Sequence, residues 1–407
     1  MSPGRLIELK QARAAILREA RPLAPEPVAL RAALGMVLAE DLAAGDPVPG
    51  FDGSAMDGFA VRADDTRGAA PDSPVALALS GESRAGAPAQ RALGAGEAMR
   101  ISTGAVVPAG ADAVVRVEDT ALEGGQVLVE AEVGAGRDVR RAGEDIGVGE
   151  TVLRPGTRIG PAELGVIVSL GRESVLCHRR PGVHVLASGD ELLEPGEEMR
   201  AGGVRNSNAY TLSALAERAG AEIVGVDRVS DERGATREAI GSALGADAVL
   251  ISGGVSVGEH DHVKGALTEL GVREGFWGVA LKPGRPTWFG TRGTTLVFGL
   301  PGNPVSAMVT FLLLARPALE ALSGAEPGRL RTTARLASGY EKAPGRTHAV
   351  RCRLELGEDG WSVEPSGPQG SHILTSMLGA DCLALIPAEA GALPAGAPVE
   401  VELIGPG

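Results

Sequence analysis

Residues 248–264 have the sequence AVLISGGVSVGEHDHVK, which joins an apolar run, a glycine turn and the start of a helix. The run Ala248–Ile251 is compact, aliphatic and without polar alternation, so it predicts a short buried strand. Ser252-Gly253-Gly254 follows, and glycines let the backbone turn tightly and bring its N–H groups close to an anion. With a helix beginning near Lys264, this order predicts a phosphate-binding loop, although an ordinary strand-to-helix turn also explains the glycines.

The same segment carries carboxylates beside the glycine turn. Glu259 and Asp261 precede the helix, and carboxylate oxygens are ligands of hard divalent cations. His260 and His262 flank Asp261, but two histidines without a further ligand set are more typical of polar surface residues than of a zinc site. We therefore expect a cation bound through oxygen, and we do not assign zinc.

The composition limits the partners that the chain can have. It has 407 residues, enough for several domains, and a net charge of −13, which argues against non-specific binding to nucleic acid or to an anionic membrane. No apolar stretch reaches the roughly 20 residues of a membrane span, and the N-terminus lacks a signal-peptide core. Cys177, Cys352 and Cys382 are far apart, which indicates neither a disulfide framework nor a CxxC metal site. We expect a soluble cytoplasmic protein.

The spacing of apolar residues changes along the chain. Residues 5–20 have helical spacing, and residues 46–61 form a loop rich in glycine and aspartate. Short strand-like runs separated by Gly and Pro recur over residues 74–133, as in a β-rich domain. Strands and helices alternate over residues 181–322, which predicts a doubly wound α/β domain with a mainly parallel sheet. Strands return over residues 332–407 and predict a small closing β domain.

Polar motifs follow several strands of the α/β region. They are Gly189-Asp190-Glu191, Asp231-Glu232, Ser252-Gly253-Gly254 and the Pro-Gly-Asn-Pro run 301–304. Because ligands of open α/β sheets bind at the carboxyl ends of parallel strands, we expect these motifs to meet at one edge and form one site.

Eight motifs in order resemble the MoeA family of molybdopterin molybdenumtransferases, which includes the E domains of gephyrin and of the plant molybdenum-insertion protein. They are PGFDGSAMDGFAV, RISTGAVVP, RRAGEDI, ASGDEL, SGGVSVGEHDHVK, LKPGRP, GLPGNPVSA and QGSHILTSM, within a match from about residue 5 to 405. The resemblance implies a multidomain, elongated α/β plus β protein. It would contain a central doubly wound, MoaB/Mog-like α/β domain, a β-rich second domain and a C-terminal small β-barrel domain.

Domain boundaries and an assembly are implied by the same resemblance. Linking domain I would comprise residues 21–45 and 146–177, domain II residues 46–145, domain III residues 1–20 and 178–326, and domain IV residues 327–407. The implied assembly is a homodimer, in which each active cleft lies between the α/β domain of one chain and the second domain of the other. Further implied partners are a Mog-like molybdopterin adenylyltransferase and molybdoenzyme apoproteins or cofactor-maturation proteins.

The implied reaction belongs to molybdenum cofactor biosynthesis. Molybdate is inserted into adenylylated molybdopterin, with Mg2+-dependent hydrolysis of the adenylate and release of AMP. Such a substrate carries phosphate charges and two thiolates, and its partner molybdate is an anion. The site therefore needs cations, backbone donors and a metal held by carboxylates. The sequence leaves open whether molybdate or tungstate is preferred.

The resemblance also implies functional roles for individual residues of this chain. The residues implied to be catalytic are Asp57, Thr103, Glu144, Glu191, Asp231 and Asp261, of which the first three would come from the partner chain. Asp261 would be the leading Mg2+ ligand, assisted by Asp231, Glu191 or Asp190. The residues implied to bind substrate are Ser252, Gly253, Gly254 and Ser256 at the phosphate end, Lys264, then Lys282, Arg285, Arg351 and Ser371 around molybdate, and Pro301, Asn303 and Pro304 along the pterin.

Plainer explanations exist for some of these residues. Asp231 is also a good helix cap, Lys282 an ordinary cation at a strand end, and Ser371 a common turn residue. Two positions depart from the family pattern: Arg285 and Gly278 stand where lysine is frequent, and a guanidinium presents a different donor geometry from an ammonium.

Two other functions remain open on this fold. One is a binding scaffold like the gephyrin E domain, although a scaffold need not keep Asp261, Lys282 and Arg351 together. The other is a hydrolase of a nucleotide-like substrate, as in the competence-damage-inducible family, which shares the α/β domain. The KPGRP, PGNP and QGSH motifs and the flanking β domains favour the transferase.

Overall fold

The computed structural model describes residues 6–230, 232–254, 262–328 and 330–404. The chain divides into two compact units. The first comprises residues 1–39, 155–160 and 174–407, and the second comprises residues 40–154 and 161–173. The finer division into four domains stays a prediction.

An amphipathic helix opens the first unit. Helix α1 spans Leu9–Glu19, and its buried side chains, among them Leu9, Ala12 and Ile16, recur three or four residues apart on one face. The helix predicted over residues 5–20 is therefore confirmed, with a later start, because the backbone of Ile7 is hydrogen-bonded to Gly278 and Ala280 instead. Two strands follow, β1 (Pro25–Ala29) and β2 (Val37–Leu38).

The second unit consists mainly of short strands. They are β3 (Leu42–Ala43), β4 (Gly53–Ser54), β5 (Gly58–Val61), β6 (Val75–Ser83), β7 (Glu97–Ile101), β8 (Ala113–Arg116), β9 (Thr120–Glu123), β10 (Gln126–Val129), β11 (Val139–Arg140) and β12 (Thr151–Leu153), followed by helix α2 (Pro161–Ser169). The largest sheet has the order β8-β5-β7-β6-β10-β9. Phe59, Leu77, Val115 and Val127 form a buried cluster within it. The predicted β-rich domain is confirmed. The loop predicted over residues 46–61 is wrong in part, because β4 and β5 lie within it and β5 pairs with β7 and β8 in the main sheet.

The α/β module of the first unit follows. Strand β13 (Ser174–His178), which pairs with β1 and β2, precedes it. The elements that follow in the chain are β14 (Gly182–Ser188), β15 (Leu192–Leu193), β16 (Val204–Arg205), α3 (Ser207–Arg218), β17 (Glu222–Val229), α4 (Arg233–Ala243), β18 (Ala248–Ser252), α5 (His262–Glu269), β19 (Arg273–Trp277), β20 (Leu281–Lys282), β21 (Trp288–Arg292), β22 (Thr295–Leu300), α6 (Pro304–Thr310) and α7 (Arg316–Leu322). A π-helical turn, Phe311–Ala315, joins α6 to α7. The main sheet has the order β17-β14-β18-β22-β21-β19, and its first four strands are parallel.

Helices cover both faces of this sheet. Phe298 of β22 packs in one cluster with Leu212 of α3, whereas Ile251 of β18 packs in the other with Ile240 of α4 and Leu267 of α5. Strand β18 is buried along its whole length, as expected for the centre of such a sheet. The doubly wound α/β prediction is confirmed.

One helical stretch in the described residues, Pro304–Leu322, is long and apolar enough to cross a membrane. It has 19 residues, and 83% of its apolar window is buried inside the protein. Its composition is that of a core helix, which packs against the parallel sheet and α1.

The C-terminal part of the first unit is a small β-barrel. Its strands are β23 (Arg331–Leu336), β24 (Tyr340–Glu341), β25 (Thr347–Gly357), β26 (Gly360–Pro365), β27 (Cys382–Ile386), β28 (Ala392–Leu393) and β29 (Pro398–Leu403). The order β25-β26-β23-β29-β27 returns to β25 and closes the barrel, as predicted. Cys352 and Cys382 are free thiols in its core, and burial raises the pKa of each to about 12.

A buried charge cluster connects the barrel to neighbouring helices. Glu402 of β29 is only 1% exposed. It accepts hydrogen bonds from Arg13 of α1 at 2.7 Å, from Arg331 of β23 at 3.0 Å, and from Arg316 of α7. Arg13 also donates to the carbonyl of Leu313, within the π-helical turn, at 2.8 Å. One carboxylate thus connects two helices and two barrel strands.

Candidate functional site

The loops after β14, β18 and β22 lie against one another. The N–H of Gly253 donates to the carbonyl of Leu300 at 3.1 Å. Gly253 has φ +87°, and a Cβ there would lie 2.6 Å from the carbonyl oxygen of Ser188. A Cβ on Gly302 would lie 3.7 Å from the Cα of Gly253. The predicted meeting at one sheet edge is confirmed for the loops after β14, β18 and β22, and the close approach of their backbones explains the glycine at 253. For Asp231-Glu232 it stays a prediction, because Asp231 lies outside the described residues.

The start of α5 packs against the same turn. Gly254 has φ +62°, and a Cβ there would lie 2.5 Å from Cγ2 of Val263. The preceding Ser252 is 3% exposed. The turn after strand β18 therefore packs against the start of helix α5. A glycine turn next to a helix start is the arrangement expected of an anion-binding loop.

The loop 301–304 contacts the barrel loop that carries Ser371. Nδ2 of Asn303 donates to Oγ of Ser371 at 3.2 Å, and the N–H of Val305 donates to the carbonyl of Ser371 at 3.2 Å. Pro304 occupies the first turn of α6, where a fixed φ is favourable and no N–H is needed. The structure therefore brings the predicted residues Asn303, Pro304 and Ser371 together, after the buried Pro301.

Lys282 and Arg285 lie on a turn that packs against α6. A Cβ on Gly284, between them, would overlap the side chain of Thr310. Both cationic side chains are exposed, and within the described residues neither forms a salt bridge with a carboxylate. Strand pairing places Lys282 opposite His348 of β25. Burial, reinforced by the charge of Lys282, lowers the pKa of His348 to about 4, so this imidazole is neutral near pH 7.

Arg351 is wholly buried, at 0% exposure, on the face of β25 opposite to that of Val350 and Cys352, which lie in the barrel core. Its guanidinium donates to Oγ of Ser376 at 3.1 Å and to the carbonyls of Pro368 and Gly370 at 3.1 and 3.2 Å. Its Nη1 is buried without a partner among the described residues, and burial lowers the pKa of the group. Arg351 therefore shapes the loop before Ser371, and its predicted contact with molybdate stays a prediction.

Lys264 faces an aromatic ring. Its ammonium lies 4.5 Å from the centre of the Trp277 ring of β19, within the range of a cation–π interaction. This contact fixes the lysine against the edge of the sheet that carries β19. Its predicted role in substrate binding remains untested.

Glu191 lies in the turn between β14 and β15. A Cβ on Gly189 would lie 2.6 Å from a carboxylate oxygen of Glu191, so the glycine leaves room for this carboxylate. Beside it is a cavity of about 530 Å³, lined by Gly189, Asp190, Arg200, Arg228, Val229, Ser230, Ala235 and Ala239. Oxygen donors and arginines at one edge of the sheet are suited to a metal-bound or anionic group.

The remaining predicted metal ligands lie outside the described residues. They are Asp231 and Asp261, and the predicted phosphate-binding Ser256 and the flanking His260 are outside as well. Within the described residues, no group of three metal-ligating side chains occurs. The magnesium site therefore remains a prediction, to which the structure adds the position of Glu191.

The second unit carries the other three predicted residues. The N–H and Oγ1 of Thr103 donate to Oδ1 of Asp57 at 2.7 and 3.0 Å, and these bonds hold the pKa of Asp57 below its usual range. Glu144 accepts from the N–H of Arg141 at 2.9 Å. Glu144 also lines a cavity of about 480 Å³ together with Gly104, the neighbour of Thr103. Asp57 and Thr103 are thus in contact, and Glu144 lies on an adjoining surface.

One residue at the sheet edge was not predicted. Asn208 of α3 donates through Nδ2 to Oγ of Ser252 at 2.7 Å and to the carbonyl of Gly302 at 2.8 Å. The signal in the sequence is only a polar run, Asn206-Ser207-Asn208, ahead of a helix. Its partners are 44 and 94 positions away in the chain, so nothing local indicates the contact.

Comparison with known proteins decides the family. Residues 7–171 match the MoeA N-terminal region (domain I and II), residues 184–321 a probable molybdopterin binding domain, and residues 333–404 the MoeA C-terminal region (domain IV). The molybdopterin molybdenumtransferase of Haemophilus influenzae is 36% identical over 403 residues, which cover 98% of each chain. The chain belongs to the MoeA family. The molybdopterin molybdenumtransferase of Bacillus subtilis is 35% identical over 383 residues, 93% of this chain and 89% of that one.

A solved structure agrees with the fold over its whole length. The crystal structure of the molybdopterin biosynthesis MoeA protein from Pyrococcus horikosii has a TM-score of 0.82 and 32% identity, and the match covers 98% of this chain and 99% of that chain. The predicted family, the enzyme class and the multidomain α/β plus β fold are therefore confirmed. So is the broader expectation of a role in molybdenum cofactor biosynthesis, as in other MoeA proteins.

Proposed function

We propose that this MoeA-family protein inserts molybdenum from molybdate into adenylylated molybdopterin, hydrolyses the adenylate and releases AMP. The supporting observation is that three groups of the first unit meet around helix α6. The glycine turn at Ser252 and the Asn303–Ser371 contact lie at the start of this helix. The turn of Lys282 and Arg285 packs against its last residue, Thr310. Backbone donors suit phosphate, and cations without carboxylate partners suit an oxyanion. A Mog-like adenylyltransferase would supply the substrate, and apoenzymes or maturation proteins in the cytoplasm would receive the product.

Each group has a role that follows from its position. The turn at Ser252–Gly254 binds the phosphate end, and the loop of Pro301 and Asn303 lines the pterin. Lys282 and Arg285 hold molybdate beside the dithiolene and offset its charge. Glu191, Asp231 and Asp261 would hold a divalent cation through their carboxylate oxygens. When bound, Mg2+ would polarise the phosphoanhydride and activate a water.

The test is AMP release from the purified protein given adenylylated molybdopterin, with and without molybdate and Mg2+. We expect release to require both, to stop with a chelator, and to yield a cofactor that activates an apo-molybdoenzyme. Tight substrate binding without release would instead indicate a scaffold. Release that ignores molybdate would indicate a nucleotide hydrolase. Replacing molybdate with tungstate measures the preference between the two oxyanions.

We further propose a homodimer in which the partner's second unit supplies Asp57, Thr103 and Glu144 to the site. The support is the resemblance to the family, together with an Asp57 carboxylate kept ionised by Thr103. Chains carrying Asp57→Ala are mixed under subunit exchange with chains carrying Lys282→Gln. Each variant alone is expected to be nearly inactive, and the mixture is expected to recover part of the rate because one site per mixed dimer is intact. No recovery in proven mixed dimers would contradict the shared site.

A further inference from the structure

Asn208 is the side chain that ties the turn after β18 to the turn after β22. Helix α3 begins at Ser207, and Asn206 caps it by accepting the N–H of Ala209 at 3.3 Å. Asn208 is therefore the second residue of a capped helix, and its backbone is fixed. Its amide Nδ2 has two hydrogens, and both are used, one on Oγ of Ser252 and the other on the carbonyl of Gly302.

This arrangement decides which hydrogen bonds the Ser252 hydroxyl can make. The carbonyl of Gly302 accepts only, so it requires the amide nitrogen of Asn208, and not the oxygen, to face it. Oγ of Ser252 then accepts from the same nitrogen and keeps its own hydrogen for another acceptor. Within the described residues, no acceptor takes that hydrogen. Ser252 thus presents a donor beside the glycine turn.

The other end of the Asn208 amide points to a role beyond packing. Its Oδ1 is buried and has no hydrogen-bond partner among the described residues. Buried polar atoms are normally satisfied, and an unsatisfied acceptor lowers stability. The two hydrogen bonds of Nδ2 therefore fix the orientation of the amide and leave Oδ1 on its other side, and this fixed orientation is what positions Ser252.

We propose that Asn208 is a positioning residue, which orients Ser252 as a hydrogen-bond donor to an anionic oxygen of the substrate and holds the Gly302 turn beside it. The inference rests on the proposed function, from which it takes a substrate with a phosphate end. Asn208 would therefore contribute to phosphate recognition indirectly, by orienting the Ser252 hydroxyl that contacts the phosphate.

The first test measures the dissociation constant of adenylylated molybdopterin. Asn208→Asp keeps the shape of the side chain but places a carboxylate against the Gly302 carbonyl and offers an acceptor to the Ser252 hydrogen. We expect its dissociation constant to rise about tenfold or more, with the folded circular dichroism spectrum retained. Ser213→Ala is the matched control, since Ser213 lies on the same helix and bonds the carbonyl of Ala209. It should bind as the wild type does.

A double-variant cycle separates positioning from packing. Asn208→Ala should weaken binding about tenfold in the wild type but by less than about threefold when Ser252→Ala is already present, because its effect passes through that hydroxyl. Equal losses in both backgrounds would overturn the inference. So would wild-type affinity in Asn208→Asp. If the wild-type protein does not bind adenylylated molybdopterin at all, the proposed function fails, and this inference fails with it.

Discussion

Replacing Lys282 with glutamine is expected to lower molybdate-dependent turnover by about 100- to 1,000-fold. Lys282 is exposed at the end of β20, and in the described part of the chain it forms no salt bridge with a carboxylate. Glutamine keeps most of the length and can still donate a hydrogen bond, so the loss reports on the charge. Arg285 remains on the same turn, which keeps the expected loss below complete inactivation.

Kinetics separate binding of molybdate from other effects of this change. If Lys282 holds the oxyanion, KM for molybdate rises and excess molybdate restores part of the rate. Lys282→Arg should keep more activity than Lys282→Gln, because it keeps the charge but alters the donor geometry. Lys10→Gln, on the exposed side of α1, removes the same charge elsewhere and should leave the rate unchanged. An unaltered KM in Lys282→Gln would remove the oxyanion role.

The strands at the site could be predicted because their sequences are unambiguous. The run Ala248–Ile251 has no polar alternation and is the buried strand Ala248–Ser252 in the structure. Gly253 and Gly254 were predicted to form a turn, and both have positive φ. Because all strand-end loops of a parallel sheet share one edge, local patterns sufficed to bring Ser252 and Asn303 to the same region.

Side-chain partners far apart in the chain could not be predicted in this way. The family resemblance implies a molybdate pocket for Arg351, but the burial of its guanidinium depends on Ser376 and on carbonyls of the loop before Ser371. Lys264 lies in the first turn of α5, near the glycine turn, but its ammonium contacts the ring of Trp277 on β19. Asn208 was missed altogether, since only the packing of α3 shows which loops it joins. Such contacts join residues that are far apart in the sequence, and the spacing of residues along the chain does not show which of them become neighbours in the fold.

Replacing Glu402 with alanine is expected to lower the free energy of unfolding of the first unit by about 3–5 kcal/mol. Glu402 is the one carboxylate that bonds Arg13, Arg316 and Arg331 together among the described residues. Arg13 and Arg316 are 9% and 6% exposed, so water cannot replace the lost partner at either. Removing the carboxylate leaves buried positive charges that repel one another, a larger cost than the loss of a hydrogen bond.

Urea unfolding followed by tryptophan fluorescence measures this effect, because Trp277, Trp288 and Trp361 all lie in the first unit. Glu400→Ala is the matched control: Glu400 is on the same strand, 3.7 Å from Arg13 and 3.9 Å from Arg331, but its side chain is 52% exposed. Its loss should cost about 0–1 kcal/mol, as at other exposed pairs. Equal losses in the free energy of unfolding for the two substitutions would show that the burial of Glu402 does not make it more important for stability than Glu400. A larger loss for Glu402→Ala would support the view that this buried carboxylate holds the barrel against α7 through Arg316. Helix α7 ends the helical stretch Pro304–Leu322, whose start lies beside the Asn303–Ser371 contact.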